Sequence, residues 1–529
     1  MMKTLPVVAV ALLVGACASG PTEMQLVDDA LDALGGRDRI LAIETLTIEG
    51  EGESGALTQS IGATGKMSLS TLVGFTKVID VANQRMSEQF STKRQFAFVL
   101  PGPGPAHSVI DGDVAYNVGP DGTARPGGGA AGRQIEMLRH PITILRAALE
   151  EGATIGPLRE AGDADVVDIT TAKGHEIALA VDRETKLPHS VSNGTFNGIL
   201  GVVAVVTTFS EYEDVDGVML PKRIRTIVDE DYEFLQREIV VVTNTLDADA
   251  SHLAAPESVT AAAGGGGGGF GGGGTAPPVV VKEIAEGIYH LGGLEASGGF
   301  QYNTIMVEFS DHSELIEPIQ GEARTLAVIK AAKEINPDKP VTKMILTHAH
   351  SDHAGGARAA VAEGLILVGH ESTVDYWDDI IRRPFASNPD YLAKNPVELK
   401  PTEGVGDHLQ VKDDTQTMDI YHFPSNAHAD HMLMVHFPEH DMLVDADMYN
   451  MDPGPGRPAP DIWPSSMKTG VIPGFNLVWV DNFFAEIERR NLSVKTHIPI
   501  HGVVMSTEKL RAYRALWDED GLMLLEAAK

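Results

Sequence analysis

The stretch Lys343-Met344-Ile345-Leu346-Thr347-His348-Ala349-His350-Ser351-Asp352-His353-Ala354-Gly355-Gly356 decides how the chain is read. An apolar run suited to a buried strand ends at Leu346, and His-x-His-x-Asp-His follows before a glycine-rich turn. Three imidazoles and a carboxylate between His348 and His353 are positioned to surround one small volume. Neutral imidazole and carboxylate are the donors that Zn²⁺ or Fe accepts in a nitrogen–oxygen site. A lone histidine pair would say little; this spacing is specific.

Around that core the pattern mixes strands and helices. Asn303–Phe309 and Ser313–Ile316 read as a hairpin turning at Asp311-His312. Leu326–Ile335 reads as a helix, Val341–Leu346 and Leu365–Val368 as strands. Further strands are expected near 418–423, 432–437 and 442–445, then a helix from Asn482 to Arg490. This order suits two sheets covered by helices. The chain, 529 residues in all, is too long for one ordinary core, which stops growing near ~250–300 residues.

The division is visible in composition. Gly264 to Gly274 is glycine interrupted only by Phe270, a run that packs no core and acts as a tether, stiffened at Pro277-Pro278. The expected organisation is residues 1–16 as a signal peptide, 17–260 as an N-terminal β-rich domain, 261–278 as linker and 279–529 as a second domain able to fold alone. Of 19 histidines, 14 follow residue 276, so the chemistry is expected in the second half. The first half reads as one helix through Leu26, Ala30, Leu31 and Leu34, stopped at Gly35-Gly36, then many strands. Val202–Phe209 and Glu238–Leu246 are β-rich, with turns expected at Asp111-Gly112 and Asn193-Gly194. Asp32–Gly50 and Tyr212–Arg225 resemble periplasmic lipoprotein-sorting carriers, which implies a curved antiparallel sheet and carries no chemical motif.

A formal charge of −33 repels phosphate backbones, so no nucleic-acid partner is expected. The single cysteine, Cys17, excludes intramolecular disulfides and Cys-rich metal clusters. It follows Met1-Met2-Lys3, an apolar run Leu5–Val14 and Val14-Gly15-Ala16, a segment shorter than the ~20 residues of a spanning helix. This end resembles a bacterial lipobox, which implies export, acylation of Cys17 and anchoring in outer-membrane lipid, Ala18 favouring the outer membrane.

Residues 280–505 resemble the metallo-β-lactamase superfamily, on His348-x-His350-x-Asp352-His353, Asn426-Ala427-His428-Ala429-Asp430-His431, Leu443-Val444-Asp445-Ala446-Asp447 and Ile498-Pro499-Ile500-His501-Gly502. The resemblance implies an αββα sandwich, and so an α+β chain overall. It implies two divalent ions per chain, zinc first, with iron or manganese as alternatives. By its motif order His348 and His350 would bind the first ion and Asp352 and His353 the second, with His428 and His501 as further ligands and Asp447 bridging; His431 rivals His428, and Asp445 rivals Asp447. Glu317 stands where the family commonly has a structural Asp. Two ions sharing Asp447 would generate a hydroxide near neutral pH, with Asp352 both a ligand and the catalytic residue orienting it. The implied activity is hydrolysis of an ester-like bond in a small molecule: lactone, thioester, phosphoester or lactam. An iron-dependent oxidoreductase of the same fold and a non-catalytic lipid or lipoprotein carrier are the alternatives.

Overall fold

The computed structural model describes residues 22–515, apart from 66, 96–104, 261–277, 296–300, 386–387, 425, 427, 450–476 and 503. The signal segment with Cys17 and the glycine tract therefore lie outside the described residues.

The first half opens with helices Glu23–Ala33 and Arg37–Ala42, the first ending before Gly35-Gly36 as expected. Strands then form one 14-stranded antiparallel sheet. Leu26, Val27, Leu31 and Leu34 bury the amphipathic face of the first helix against Val218, Leu220 and Ile239 of the sheet and Ile142 and Leu145 of the helix Pro141–Ala148. The turn expected at Asn193-Gly194 is not there: both lie inside the strand Pro188–Asn197. The reversal comes at 198–200, where Asn197 Oδ1 accepts from the Ile199 and Leu200 N–H groups, so the asparagine that turns the chain is the next one along.

The long strand Thr45–Ala56 pairs with the strand Leu235–Leu246 on one side and Leu69–Asp80 on the other. Its register shifts near Gly50, where an added Cβ would lie 2.5 Å from the Val240 carbonyl oxygen; only glycine admits so close an approach. Beyond that point the strand runs on into the short 3₁₀ turn Leu57–Gln59, which leaves the sheet toward the second half.

The second half is a sandwich of two mixed sheets. One has seven strands, with the hairpin Gln301–Glu308 and Ser313–Ile316 followed by parallel strands Val341–Ile345, Ile366–His370 and Glu403–Val405. The other has six, including Thr417–His422, Leu433–Phe437, Met442–Val444 and Thr496–Ile498. Adjacent residues on each strand face opposite layers. Ile316, Ile345, Val368, Val435 and Val444 meet between the sheets. Their neighbours Leu315, Met344 and Leu367 pack on helices Glu322–Ile335, Ala357–Ala362 and Val374–Arg382. Met434 and Leu443 pack on the helix Leu477–Arg489. Apolar runs without polar alternation are what strands buried on both faces require. The α+β reading therefore holds, with helices outside both sheets.

Independence of the second domain does not follow from the glycine tract. Leu57, Ala63, Leu200, Val203 and Phe234 of the first half share one buried core with Leu315, Met344, Trp377 and Ile380 of the second. Around it Arg383 donates to Asp229 at 2.8 Å and Tyr232 Oη to Asp379 at 2.9 Å. A tether leaves its flanking domains free to move only when no such surface closes between them.

Candidate metal centre

The loops that carry the candidate ligands leave the C-terminal ends of four strands: Val341–Ile345, Thr417–His422, Met442–Val444 and Thr496–Ile498. The parallel pairing of Met442–Val444 with Thr496–Ile498 puts the last two loops at the same end. After Leu346 the chain enters the short helix Ser351–Ala354, where a turn was expected. That helix sits hard against the segment after Ile316. A Cβ on Gly355 would lie 2.6 Å from the Gln320 carbonyl oxygen, and one on Gly356 would overlap the Thr325 side chain. The glycine pair is therefore a matter of space, and it lets the histidine loop seat close to the sheet edge.

Two donor sets form. Ligand atoms of His348, His350 and His428 lie within 4.8 Å of one another, and so do those of Asp352, His353 and His501. Within them His348 Nε2 is 3.2 Å from His428 Nε2, and His353 Nε2 is 2.9 Å from His501 Nε2. Asp352 Oδ2 is 3.1 Å from His501 Nε2. Asp447 lies between the sets, with Oδ1 3.1 Å from His353 Nε2 and 3.4 Å from His501 Nε2, and Oδ2 3.3 Å from His428 Nε2. All five histidines and Asp447 are buried; the Asp352 side chain, 19% exposed, is the ligand candidate that reaches the rim.

The second ring nitrogens show how the rings are aimed. His353 Nδ1 donates to Glu317 Oε2 at 3.0 Å, which turns its Nε2 lone pair toward Asp447. Glu317 Oε1 accepts from the Thr347 N–H at 2.8 Å, so this carboxylate is spent on orienting the loop. Its histidine cluster with His348 and His353 is thus the back wall of the cage. His350 Nε2 donates to the Ser60 carbonyl at 2.8 Å, leaving Nδ1 facing inward. His428 is set by its own N–H donating to Asn426 Oδ1 at 2.7 Å and by the Trp479 ring against it.

The rivals face elsewhere. His431 Nε2 accepts from the Ala349 N–H at 2.9 Å, and its Nδ1 is paired with Asp430. Asp445 is paired with His497 Nδ1 at 3.1 Å, both fully buried. His422 hydrogen-bonds to the Asp430 carbonyl rather than to any member of the two sets. Gln59, Ser60, Trp479 and Tyr302, whose ring lies edge-on to His501, were not singled out by the sequence. These four sit in no chemical motif, and Gln59 and Ser60 are some 290 residues from Asp352 and His350, which they touch.

Divalent cations fit this cage. His350 Nδ1 is buried with no hydrogen-bond partner among the described residues, and such an atom costs about 1–3 kcal/mol unless something pairs with it. Imidazole nitrogens facing each other near 3 Å are close to the ~3.4 Å expected of two ligands at ~2.1 Å from one tetrahedral ion. Burial, then the neighbouring imidazoles, holds His348 well below the ordinary range, and burial does the same to His350 and lowers His428, so all three keep free lone pairs. Burial opposes charge on His353 too, but Asp447, Asp352 and Glu317 raise it well above the ordinary range. That half of the cage therefore demands a positive charge. Burial likewise works against the Asp447 and Asp352 carboxylates, and His353 and His501 nonetheless hold both below their ordinary range.

Residues 297–448 match the family model for the metallo-beta-lactamase superfamily, so the C-terminal half carries a domain of that superfamily beside an extra N-terminal β-rich domain. A linear primary-alkylsulfatase from a Pseudomonas species is 31% identical over 87 residues, and the chain spans only 12% of that relative's length. Among solved structures, a metallo-beta-lactamase from Pontibacter korlensis is 16% identical, covering 45% of this chain and 97% of its own at a TM-score of 0.33. The mono-zinc form of metallo-beta-lactamase FIM-1 from Pseudomonas aeruginosa is 18% identical over 45% of this chain and 94% of its own, at a TM-score of 0.31.

Proposed function

We propose that the chain is a binuclear metallohydrolase that cleaves an ester-like bond in a small molecule. The observation that carries this is Asp447, whose two carboxylate oxygens point to different histidine sets. His348, His350 and His428 would hold one divalent ion, Asp352, His353 and His501 the other, and Asp447 both. Zinc suits the donors best, since five of seven are imidazoles and none is a thiolate. Such ions supply Lewis acidity, polarising an ester-like oxygen and acidifying water.

The protein's own groups do the rest. Six of the seven side chains are buried, which excludes bulk water and preserves their charge interactions. Asp352 alone reaches the rim; ionised, it accepts a hydrogen bond from the attacking water and orients it. Glu317 keeps His353 in the tautomer whose Nε2 lone pair faces the cage. The substrate class covers lactones, thioesters, phosphoesters and lactams, and the alkylsulfatase likeness adds sulfate esters to it.

A panel of these esters, run on protein loaded with zinc and on the same protein stripped by chelator, tests the reading. Turnover of at least one class, lost on stripping and restored by zinc, is the expected result. No turnover in any class would leave the carrier alternative, and iron in the purified protein would move the reaction to the oxidoreductase alternative.

The same proposal places the protein outside the cell's inner membrane, held by lipid on Cys17. Its support is the apolar run Leu5–Val14 ending in Val14-Gly15-Ala16-Cys17. Cys17→Ser is expected to shift the protein out of the membrane fraction and to abolish labelling by a fatty-acid probe. Continued lipid labelling of that variant would overturn the anchor.

A further inference from the structure

The N-terminal domain touches the candidate metal centre at three consecutive residues. Gln59 Nε2 donates to Asp352 Oδ1 at 2.8 Å. The Ser60 carbonyl accepts from His350 Nε2 at 2.8 Å, and the Ile61 carbonyl accepts from the Asp430 N–H at 2.7 Å. These atoms belong to the segment that leaves the sheet after Ala56, nearly three hundred residues before the histidine loop.

The segment is pinned where it makes these contacts. Leu57 is buried in the core shared by the two halves, and its N–H donates to the Phe234 carbonyl at 2.8 Å. Ser60 is fully buried, its hydroxyl donating to the Ala56 carbonyl at 2.7 Å and accepting from the Ser68 N–H at 2.8 Å. Such a segment holds its carbonyl at a fixed place, as an orienting partner must.

The Gln59 and Ser60 contacts each fall on the outward atom of a ligand candidate. A carbonyl can only accept, so the Ser60 contact puts the proton of His350 on Nε2 and leaves the Nδ1 lone pair facing inward, where it is buried without a partner. The Gln59 amide occupies Asp352 Oδ1, and the other oxygen, Oδ2, faces His501. Hydrogen bonds of this kind fix the tautomer of a ligand histidine and the rotamer of a ligand carboxylate, and their loss typically costs ~10–100-fold in metal affinity.

We propose that Gln59 and Ser60 are positioning residues of the metal centre, so that the N-terminal domain completes a site whose ligands all lie in the C-terminal half. This rests on the binuclear reading above. One residue serves each donor set: Ser60 the histidine trio through His350, Gln59 the other set through Asp352. The first domain thus acts on the chemistry through two ligands, beyond any role as a spacer.

The test titrates full-length, ion-free protein with zinc against a chromophoric chelator, for wild type, Gln59→Ala, Gln59→Met and Ser60→Ala. Wild type is expected to take up two ions. Gln59→Met keeps the length and packing of the side chain and removes only the donor. Both Gln59 variants are expected to hold one ion as wild type does and the second ~10–100-fold more weakly, with thermal melting of the ion-free protein unchanged. Ser60→Ala removes the two hydroxyl contacts that hold the segment carrying this carbonyl in place and is expected to weaken the other ion instead. Wild-type affinity for both ions in all three variants would overturn the proposal while leaving the binuclear reading intact. Loss of affinity in Gln59→Ala but not in Gln59→Met would reduce Gln59 to packing and also overturn its role. A wild-type protein that binds no zinc would sink the binuclear reading itself, and this inference with it.

Discussion

Asp447→Asn is expected to drop divalent-ion content well below two per chain and to abolish hydrolysis, whereas Asp445→Asn keeps both ions and loses only rate. The two residues are two apart in sequence, and strand alternation cannot separate them. Their surroundings do. Asp447 lies within 3.1 to 3.4 Å of His353, His428 and His501, one oxygen toward each donor set, so its loss loosens both ions at once. Asp445 meets His497, which in turn contacts the Thr507 hydroxyl at 2.9 Å; it ties the strand end to the C-terminal helix. Its loss acts at one remove, where ~10–100-fold effects are the rule. Metal analysis of both purified variants, with the ester panel, checks this. The reverse pattern would reassign the bridge to Asp445, and a single ion in fully reconstituted wild type would rule out a bridge altogether.

The second large effect is expected on stability. Glu317 is fully buried and stands at φ 78°, a backbone conformation that a non-glycine residue sustains only where its surroundings over-determine it. Its carboxylate receives the Thr347 N–H and His353 Nδ1. Glu317→Ala leaves both donors buried and unpaired beside a cavity, a loss of roughly 3–5 kcal/mol. Glu317→Gln keeps the volume but turns an N–H₂ group toward one of the two donors, and should lose about 1–3 kcal/mol. Chemical denaturation of the ion-free proteins measures this directly. An Ala variant unfolding at the wild-type denaturant concentration would show that the carboxylate does not hold the histidine loop.

Much of the C-terminal half was legible in the sequence because its signals are local. A strand buried on both faces must be apolar along its length, so Val341–Ile345 and Leu433–Phe437 announce themselves. Three histidines and an aspartate clustered between His348 and His353 need no long-range information to suggest a cation site. The N-terminal β-rich character was equally open to reading, although Asn193-Gly194 misled, because a turn-forming pair also sits comfortably inside a strand when its neighbours pair on both sides. What the tertiary structure alone decided is which way side chains point. His428 rather than His431, and Asp447 rather than Asp445, turn toward the other ligand candidates because Ala349 and His497 engage their rivals. Gln59 and Ser60 were invisible for the same reason: a polar pair after a strand has no motif, and its partners come from a different domain. A hydrogen bond depends on positions in space, and those are set by the core through which Leu57 and Phe234 join the two halves.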